Sequence, residues 1–206
     1  MGTKYKILDS ARVLFNEYGY WTVTLRMIAI ELEMSPGNLN YHFKKKEELL
    51  EALYFNMVTE FDERVEKLRK TEITFEKIKR DISTSMKSMV HYKFIWTDLY
   101  RLTKHSSKMH IHFSNAYHKR IEGYQFLFYL LQQKELMNAD VEKREQTLIA
   151  ERMIQCSDTW IYYTQIYSSK NTELAIADNC NNILMILYPY LTDSGKSFLK
   201  LSLQYT

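Results

Sequence analysis

Two prolines and five glycines in 206 residues leave this chain little with which to build tight turns. A fold of many short strands needs Gly and Pro at its reversals, so a sandwich or barrel is excluded. Collagen-like and proline-rich linker architectures fail for the same reason. A mostly helical protein remains. With 46% hydrophobic and 26% charged residues the chain can bury a core, which excludes general disorder.

Two cysteines, Cys156 and Cys180, are too few for a disulfide scaffold and show no CxxC spacing, which fits a reducing compartment. The opening MGTKYKILDSARVLF has no apolar segment of the signal-peptide kind. The longest run without Asp, Glu, Lys or Arg is Asn179 to Thr192, 14 residues, whereas a membrane span needs about 20. The expectation is a soluble, cytoplasmic protein without a membrane partner. Net charge is small, 28 basic against 25 acidic residues, and does not by itself imply nucleic acid.

Ile7, Ala11, Leu14, Phe15 and Tyr18 form one stripe of an amphipathic helix over residues 4–18, ended by Gly19. Thr24 offers an N-cap to a second helix carrying Leu25, Ile28, Ala29 and Leu32. Ser35-Pro36, a capping residue followed by proline at the first helical position, opens a third, with Leu39 and Phe43 facing inward. The KKKEEL stretch opens a longer fourth helix carrying Leu49, Leu53, Asn56, Met57 and Phe61. Two short helices joined by a tight turn make a helix-turn-helix unit, a shape that serves DNA binding or a plain three-helix bundle.

The run Thr24 to Leu49, TLRMIAIELEMSPGNLNYHFKKKEEL, resembles the signature of the TetR family of transcriptional regulators. That pattern is approximately T-x-x-x-I-A-x-x-x-G-V-S-x-G-x-L-Y-x-H-F-x-x-K-E-x-L. Thr24, Ile28, Ala29, Ser35, Gly37, Leu39, His42, Phe43, Lys46, Glu47 and Leu49 match it, and the preceding ILDSARVLFNEYGY is similar to the family's first helix. The resemblance covers about residues 4–55. Two positions depart: Glu33 replaces the turn glycine, and Asn40 stands where the family usually has tyrosine.

The resemblance implies an all-α chain, with a three-helix DNA-binding domain at residues 1–49 and a larger effector-binding and dimerisation domain at 50–206. With Leu39 and Phe43 inward, Asn38, Tyr41, His42 and Lys45 project outward. Gly37 lets the backbone approach a phosphate, and the helix N-terminus there favours an anion. Asn38 or Asn40 suits adenine N6/N7, and Tyr41 suits a thymine methyl or a phosphate. Arg26 matches a family position that reaches guanine, and Lys46 is expected to hold a phosphate at the start of the fourth helix. Thr24 and Ser35 complete the expected DNA-binding set.

Beyond residue 50, helices are expected at 46–69, 74–103, 108–135, 142–168, 172–188 and 194–204, with breaks at Thr71–Thr74, Lys104–Ser107, Met137–Asp140, Ser168–Asn171 and Pro189–Gly195. Residues 86–120 hold seven Lys/Arg, one acid (Asp98) and five of the six histidines. Whether this stretch faces DNA, ligand or solvent stays open. A metal site from Asp98, His105, His110 and His112 is not adopted, because His-x-His places those rings about 200° apart on a helix. No cofactor is expected.

Aromatics recur at helical spacing, and the resemblance implies an apolar or aromatic effector among the middle helices, near Trp96, Tyr100, Tyr117, Tyr124 and Trp160. Residues 172–188 are apolar on more than one side, which predicts burial on two sides. Ile176, Ile183, Leu184 and Leu187, with Ile161 and Tyr163, are therefore expected at a two-fold homodimer contact. The function so implied is a dimeric repressor on a palindromic operator, released by effector. The alternative is a helical adaptor without operator binding. No nucleophile elbow, phosphate loop or paired-Cys motif points to an enzyme.

Overall fold

The computed structural model describes residues 2–69 and 72–204. The protein is all-α. Among the described residues the helices are α1 (Thr3–Tyr18), α2 (Leu25–Glu31), α3 (Pro36–His42), α4 (Lys46–Arg69), α5 (Phe75–His91), α6 (Lys93–Thr97), α7 (Leu99–His105), α8 (Ser107–Gln133), α9 (Lys143–Tyr167), α10 (Thr172–Met185) and α11 (Asp193–Gln204). A 3₁₀ turn lies at Tyr188–Tyr190. Of the expected break at Thr71–Thr74, Thr71 lies outside the described residues, and Thr74 receives the Lys77 N–H on its hydroxyl at the start of α5. No described helix is long and apolar enough to cross a membrane.

The single helix expected over 74–103 is instead three. Tyr92 and Asp98 leave helical geometry at ψ 39° and 26°. The bonds lost at the first break are replaced from α1: the Asn16 amide donates to the His91 carbonyl (2.8 Å) and its oxygen accepts from the Phe94 N–H (3.0 Å). Arg12 donates to the same carbonyl at 3.3 Å. Apolar periodicity carries no signal for this, because the partner is about 75 residues away in sequence.

Two compact units form, one from residues 1–66 and 89–112, the other from 67–88 and 113–206. In the first, Ile7, Ala11, Leu14 and Phe15 of α1 are buried with Ile28 and Ala29 of α2, Leu39 and Phe43 around α3, and Leu49, Leu50, Leu53 and Met57 of α4. Tyr20, Val23 and Tyr54 join them. Tyr18 and Asn56, expected on the inward stripes, are exposed; the chain leaves α1 at Gly19 (φ 78°) and Tyr20 is buried in place of Tyr18. Phe15 lies 5.2 Å from both the Tyr20 and Phe94 rings.

In the second unit Ile149, Ala150, Met153, Ile154, Trp160 and Ile161 of α9 are buried, with Ile176, Cys180, Ile183 and Leu184 of α10 and the following Leu187. The dimer contact expected from Ile161, Ile176, Ile183, Leu184 and Leu187 is thereby corrected: all are 4% exposed or less within the single chain. A helix's most apolar side is consumed first by its own domain. Tyr163 does remain outside, at 57%. The Cys180 thiol donates to the Lys79 carbonyl (3.2 Å), and the Lys79 ammonium donates to the Ser202 carbonyl (2.9 Å), tying α5, α10 and α11.

After α8 the chain reverses through Glu135 (φ 56°), and Leu136 accepts from the Thr192 N–H at 3.1 Å. A Cβ on Gly195 would stand 1.9 Å from the Leu136 carbonyl oxygen, whereas one on Gly123 of α8 would meet nothing within 4 Å. Gly195→Ala is therefore expected to cost about 2 kcal/mol through overpacking. Gly123→Ala is expected to be neutral or to stabilise by up to about 1 kcal/mol. Thermal melts of the two variants check this, and equal melting temperatures would refute the close approach.

Candidate nucleic-acid interface

The geometry begins with two helix caps. The Thr24 hydroxyl accepts from the Met27 N–H at the start of α2, and the Ser35 hydroxyl accepts from the Asn38 N–H at the start of α3, each at 3.2 Å. Pro36 takes the first position of α3, where no N–H is needed. Between the helices Met34 donates to the Ala29 carbonyl (2.8 Å) and Glu33 to that of Ile30 (3.0 Å). Glu33 takes φ 52°, the left-handed conformation that glycine adopts without penalty, at a cost of about 1–2 kcal/mol.

Leu39 and Phe43 anchor α3 at 1% and 4% exposure. Gly37, Asn38, Asn40, Tyr41, Lys44 and Lys45 are consequently exposed, with Arg26 exposed in the first turn of α2. Tyr41 is 84% exposed, and its ring meets the half-buried His42 edge-on at 5.3 Å. Gly37 has open space where a Cβ would be, and its φ is not left-handed. Nothing within the chain requires glycine there. Lys4 of α1 sits 5.5 Å from the Phe43 ring, a cation beside α3 that local spacing does not reveal.

Lys46 departs from the expected phosphate contact. Its ammonium donates to the carbonyls of Tyr20 (2.7 Å) and Val23 (2.8 Å), and more weakly to Trp21 (3.4 Å). It also lies 4.4 Å from the Tyr20 ring centroid. Burial pushes its pKa below the ordinary lysine value, with Glu47 opposing. The charge is committed to the α1–α2 loop because the fold brings that loop over the first turn of α4. Lys44 and Lys45, with Lys4 of α1, are left as exposed cations beside α3.

The next turns of α4 are held by the basic, histidine-rich stretch. His105 Nε2 lies 3.1 Å from Glu47 Oε1 and 3.2 Å from the Tyr20 hydroxyl. The Glu51 carboxylate accepts from Ser106 (3.0 Å) and Lys108 (2.7 Å). His112 Nδ1 pairs with the Tyr54 hydroxyl at 2.8 Å. Burial, then Arg12, pushes the His91 imidazole below its usual pKa. In the second unit Arg120 binds Asp158 through both nitrogens, at 3.0 and 2.8 Å. Much of the stretch is thus spent on its own fold.

The expected effector residues have differing surroundings. In the first unit Trp96 is half-buried and Tyr100 is 75% exposed. In the second, the Tyr117 hydroxyl donates to Glu151 (2.9 Å), Tyr124 stacks on Phe128 at 6.1 Å, and Trp160 is buried in the core.

Residues 7–53 match the sequence profile of bacterial regulatory proteins of the tetR family, and residues 56–199 match the TetR profile described as a bacterial transcriptional repressor. The chain belongs to the TetR family. It is a DNA-binding transcriptional regulator built on a helix-turn-helix. Over 51 residues it is 37% identical to the HTH-type transcriptional regulator UidR of Escherichia coli K12, a match covering 25% of this chain and 26% of that protein. The fold is shared with a TetR-family regulator from Marinobacter aquaeolei VT8, at TM-score 0.90 and 21% identity over 100% of this chain and 99% of the other. A putative regulator from Saccharomonospora viridis, crystallised with choline, aligns at TM-score 0.67 and 17% identity over 92% and 97%.

Replacing Lys46 by methionine keeps the stem and removes the ammonium. Hydrogen bonds to charged groups are worth about 1.5–3 kcal/mol, so Lys46→Met is expected to destabilise the DNA-free protein by about 2 kcal/mol. A denaturant titration without DNA reads this directly, and an unchanged midpoint would return Lys46 to a purely DNA-facing role.

Proposed function

We propose that this regulator is a homodimeric repressor whose two α3 helices read a palindromic operator and whose release follows effector binding. Residues 1–49 supply the DNA contacts, and residues 50–206 supply dimerisation and effector binding. The observation that carries the reading is the outer face of α3: an exposed tyrosine, two asparagines, and a glycine that the chain's own packing does not require. Phosphate contacts position such a helix and base-edge contacts give specificity. Gly37 admits the phosphate backbone, Asn38 and Asn40 address base edges, and Tyr41 with His42 meets a thymine methyl or a phosphate. Arg26 reaches from α2, and Lys44 and Lys45 take the phosphate role expected of Lys46. Thr24 and Ser35 position both helices through their caps and turn their remaining hydroxyl capacity to phosphate.

Operator binding is measured by fluorescence anisotropy on a palindrome from the DNA upstream of its own gene. Tyr41→Ala is expected to weaken binding at least about tenfold, roughly 1.4 kcal/mol. Asn38→Ala relaxes preference at one base pair by about 1–3 kcal/mol. Lys45→Ala lowers the log–log salt slope by about one for each module engaged. Gly37→Ala separates fold from function: alanine in a helix is expected to stabilise by about 0.5–1 kcal/mol while operator binding falls. Unchanged binding in all four variants would refute the α3 assignment.

Residues 1–50 carry seven basic and six acidic side chains, so one module has little general attraction for DNA. Two modules at fixed separation supply the affinity. Tyr162, Tyr163, Ile166 and Tyr167 of α9, with Leu174 and Met185 of α10, are 43–72% exposed and form the apolar surface offered to a second copy. The double variant Tyr163→Glu, Ile166→Glu is expected to be monomeric by light scattering, with helical content retained and operator binding lost. A wild-type monomer at micromolar concentration that still bound operator tightly would overturn the dimer. We propose that an apolar or aromatic effector acts on the second unit through Tyr117, Tyr124 and Trp160. The choline complex of the Saccharomonospora protein supports effector binding as a class of behaviour.

A further inference from the structure

Arg101 and Lys104 are among the cations of the basic stretch that the pairings above do not absorb. Arg101 and Lys104 lie on the outer side of α7, and with Trp21, Tyr100 and His105 they line an open depression of about 310 Å³, wholly within the first unit. Arg101 lies 4.6 Å over the Trp21 ring, and Lys104 lies 5.8 Å over that of Tyr100. Trp21 is 38% exposed and Tyr100 75%. The acids nearby are engaged: Asp98 accepts from the Trp21 indole N–H and sits 3.8 Å from Arg101, and Glu47 faces His105. The floor is aromatic and the rim is cationic; the Arg101 guanidinium has a long ion pair to Asp98, and among the described residues Lys104 is in no ion pair.

We propose that this depression is a binding site for a small planar aromatic anion, in particular an aromatic carboxylate. A ring laid beside Trp21 and Tyr100 replaces water on the aromatic surface that the two cations leave uncovered. The carboxylate then meets the Arg101 fork, whose planar geometry suits two parallel hydrogen bonds, with Lys104 as a second charge. A DNA phosphate would use the cations but not the ring faces, because duplex bases stack on one another. The site goes beyond the effector reading above, since it needs no residue of the second unit. Trp21 also lies in the loop whose carbonyls Lys46 holds, three residues before the α2 cap, so a guest here touches the segment that presents α2.

The test uses the full chain and naphthalene-2-carboxylate as probe, followed by calorimetry and by quenching of tryptophan emission. Saturable binding of one probe per chain is expected. Naphthalene-2-carboxamide, of the same shape without the charge, is expected to bind at least about tenfold more weakly. Arg101→Ala, Lys104→Ala and Tyr100→Ala each alter an exposed residue of α7 while Leu102, its buried anchor, stays in place, so the fold is retained. Each is expected to lose about tenfold in affinity. Tyr129→Ala, which removes an exposed aromatic on α8, leaves binding unchanged. No saturation up to millimolar probe, equal affinity for acid and amide, or full affinity in an Arg101→Ala, Lys104→Ala double variant would overturn the site. Loss of operator binding in that double variant, without any probe binding in the wild type, would assign the two cations to DNA instead.

Discussion

The ammonium of Lys46 is the contact on which the DNA-binding unit hangs. It gathers the carbonyls of Tyr20 and Val23, with Trp21 at longer range, and lies over the Tyr20 ring. Those carbonyls belong to the loop between α1 and α2, so one side chain of α4 sets where α2 starts. The Thr24 cap then begins α2, the turn at Glu33 redirects the chain, and Ser35 with Pro36 begins α3. Leu39 and Phe43 close the unit from beneath. The outward set on α3 follows from that anchoring, because a seven-residue helix buried along one side has only the other to present.

The same turns of α4 are gripped by α7 and the start of α8. Glu47 faces His105, and Glu51 accepts from Ser106 and Lys108. Both carboxyls are held below the ordinary value: Glu47 chiefly by a hydrogen bond from its own backbone and then by His105, Glu51 chiefly by Lys108. A depressed carboxyl pKa contributes stability that is present at neutral pH and lost as pH falls through the folded value. These ties therefore hold under neutral conditions and loosen in acid. They also join the segment carrying Tyr100, Arg101 and Lys104 to the helix that carries Lys46, within a single compact unit.

In the second unit the division between inside and outside governs what is available to partners. α9 turns Met153 and Trp160 inward and leaves Cys156, Tyr163 and Tyr167 exposed, although all five lie on one run of apolar and aromatic spacing. α10 buries the stripe from Ile176 to Leu184 and exposes Leu174 and Met185. The surface left over, rather than the most hydrophobic stripe, is what a second subunit can meet.

Local sequence was sufficient for the helical class, the caps at Thr24 and Ser35 and the inward pair Leu39 and Phe43. Each of these depends on residues within about one helical turn, where spacing and intrinsic preference act directly. The exposed face of α3 followed from the same local logic. Tertiary structure alone decided that Lys46 clasps a loop more than twenty residues before it, that Asn16 bonds across the first break in the helix expected over 74–103, and that Ile183 and Leu184 belong to the core. It alone set Trp21 beside Arg101. Periodicity shows that a side chain has an apolar or a polar side to satisfy, but which partner satisfies it depends on chain segments far apart in sequence, and only the packed fold brings them within bonding distance.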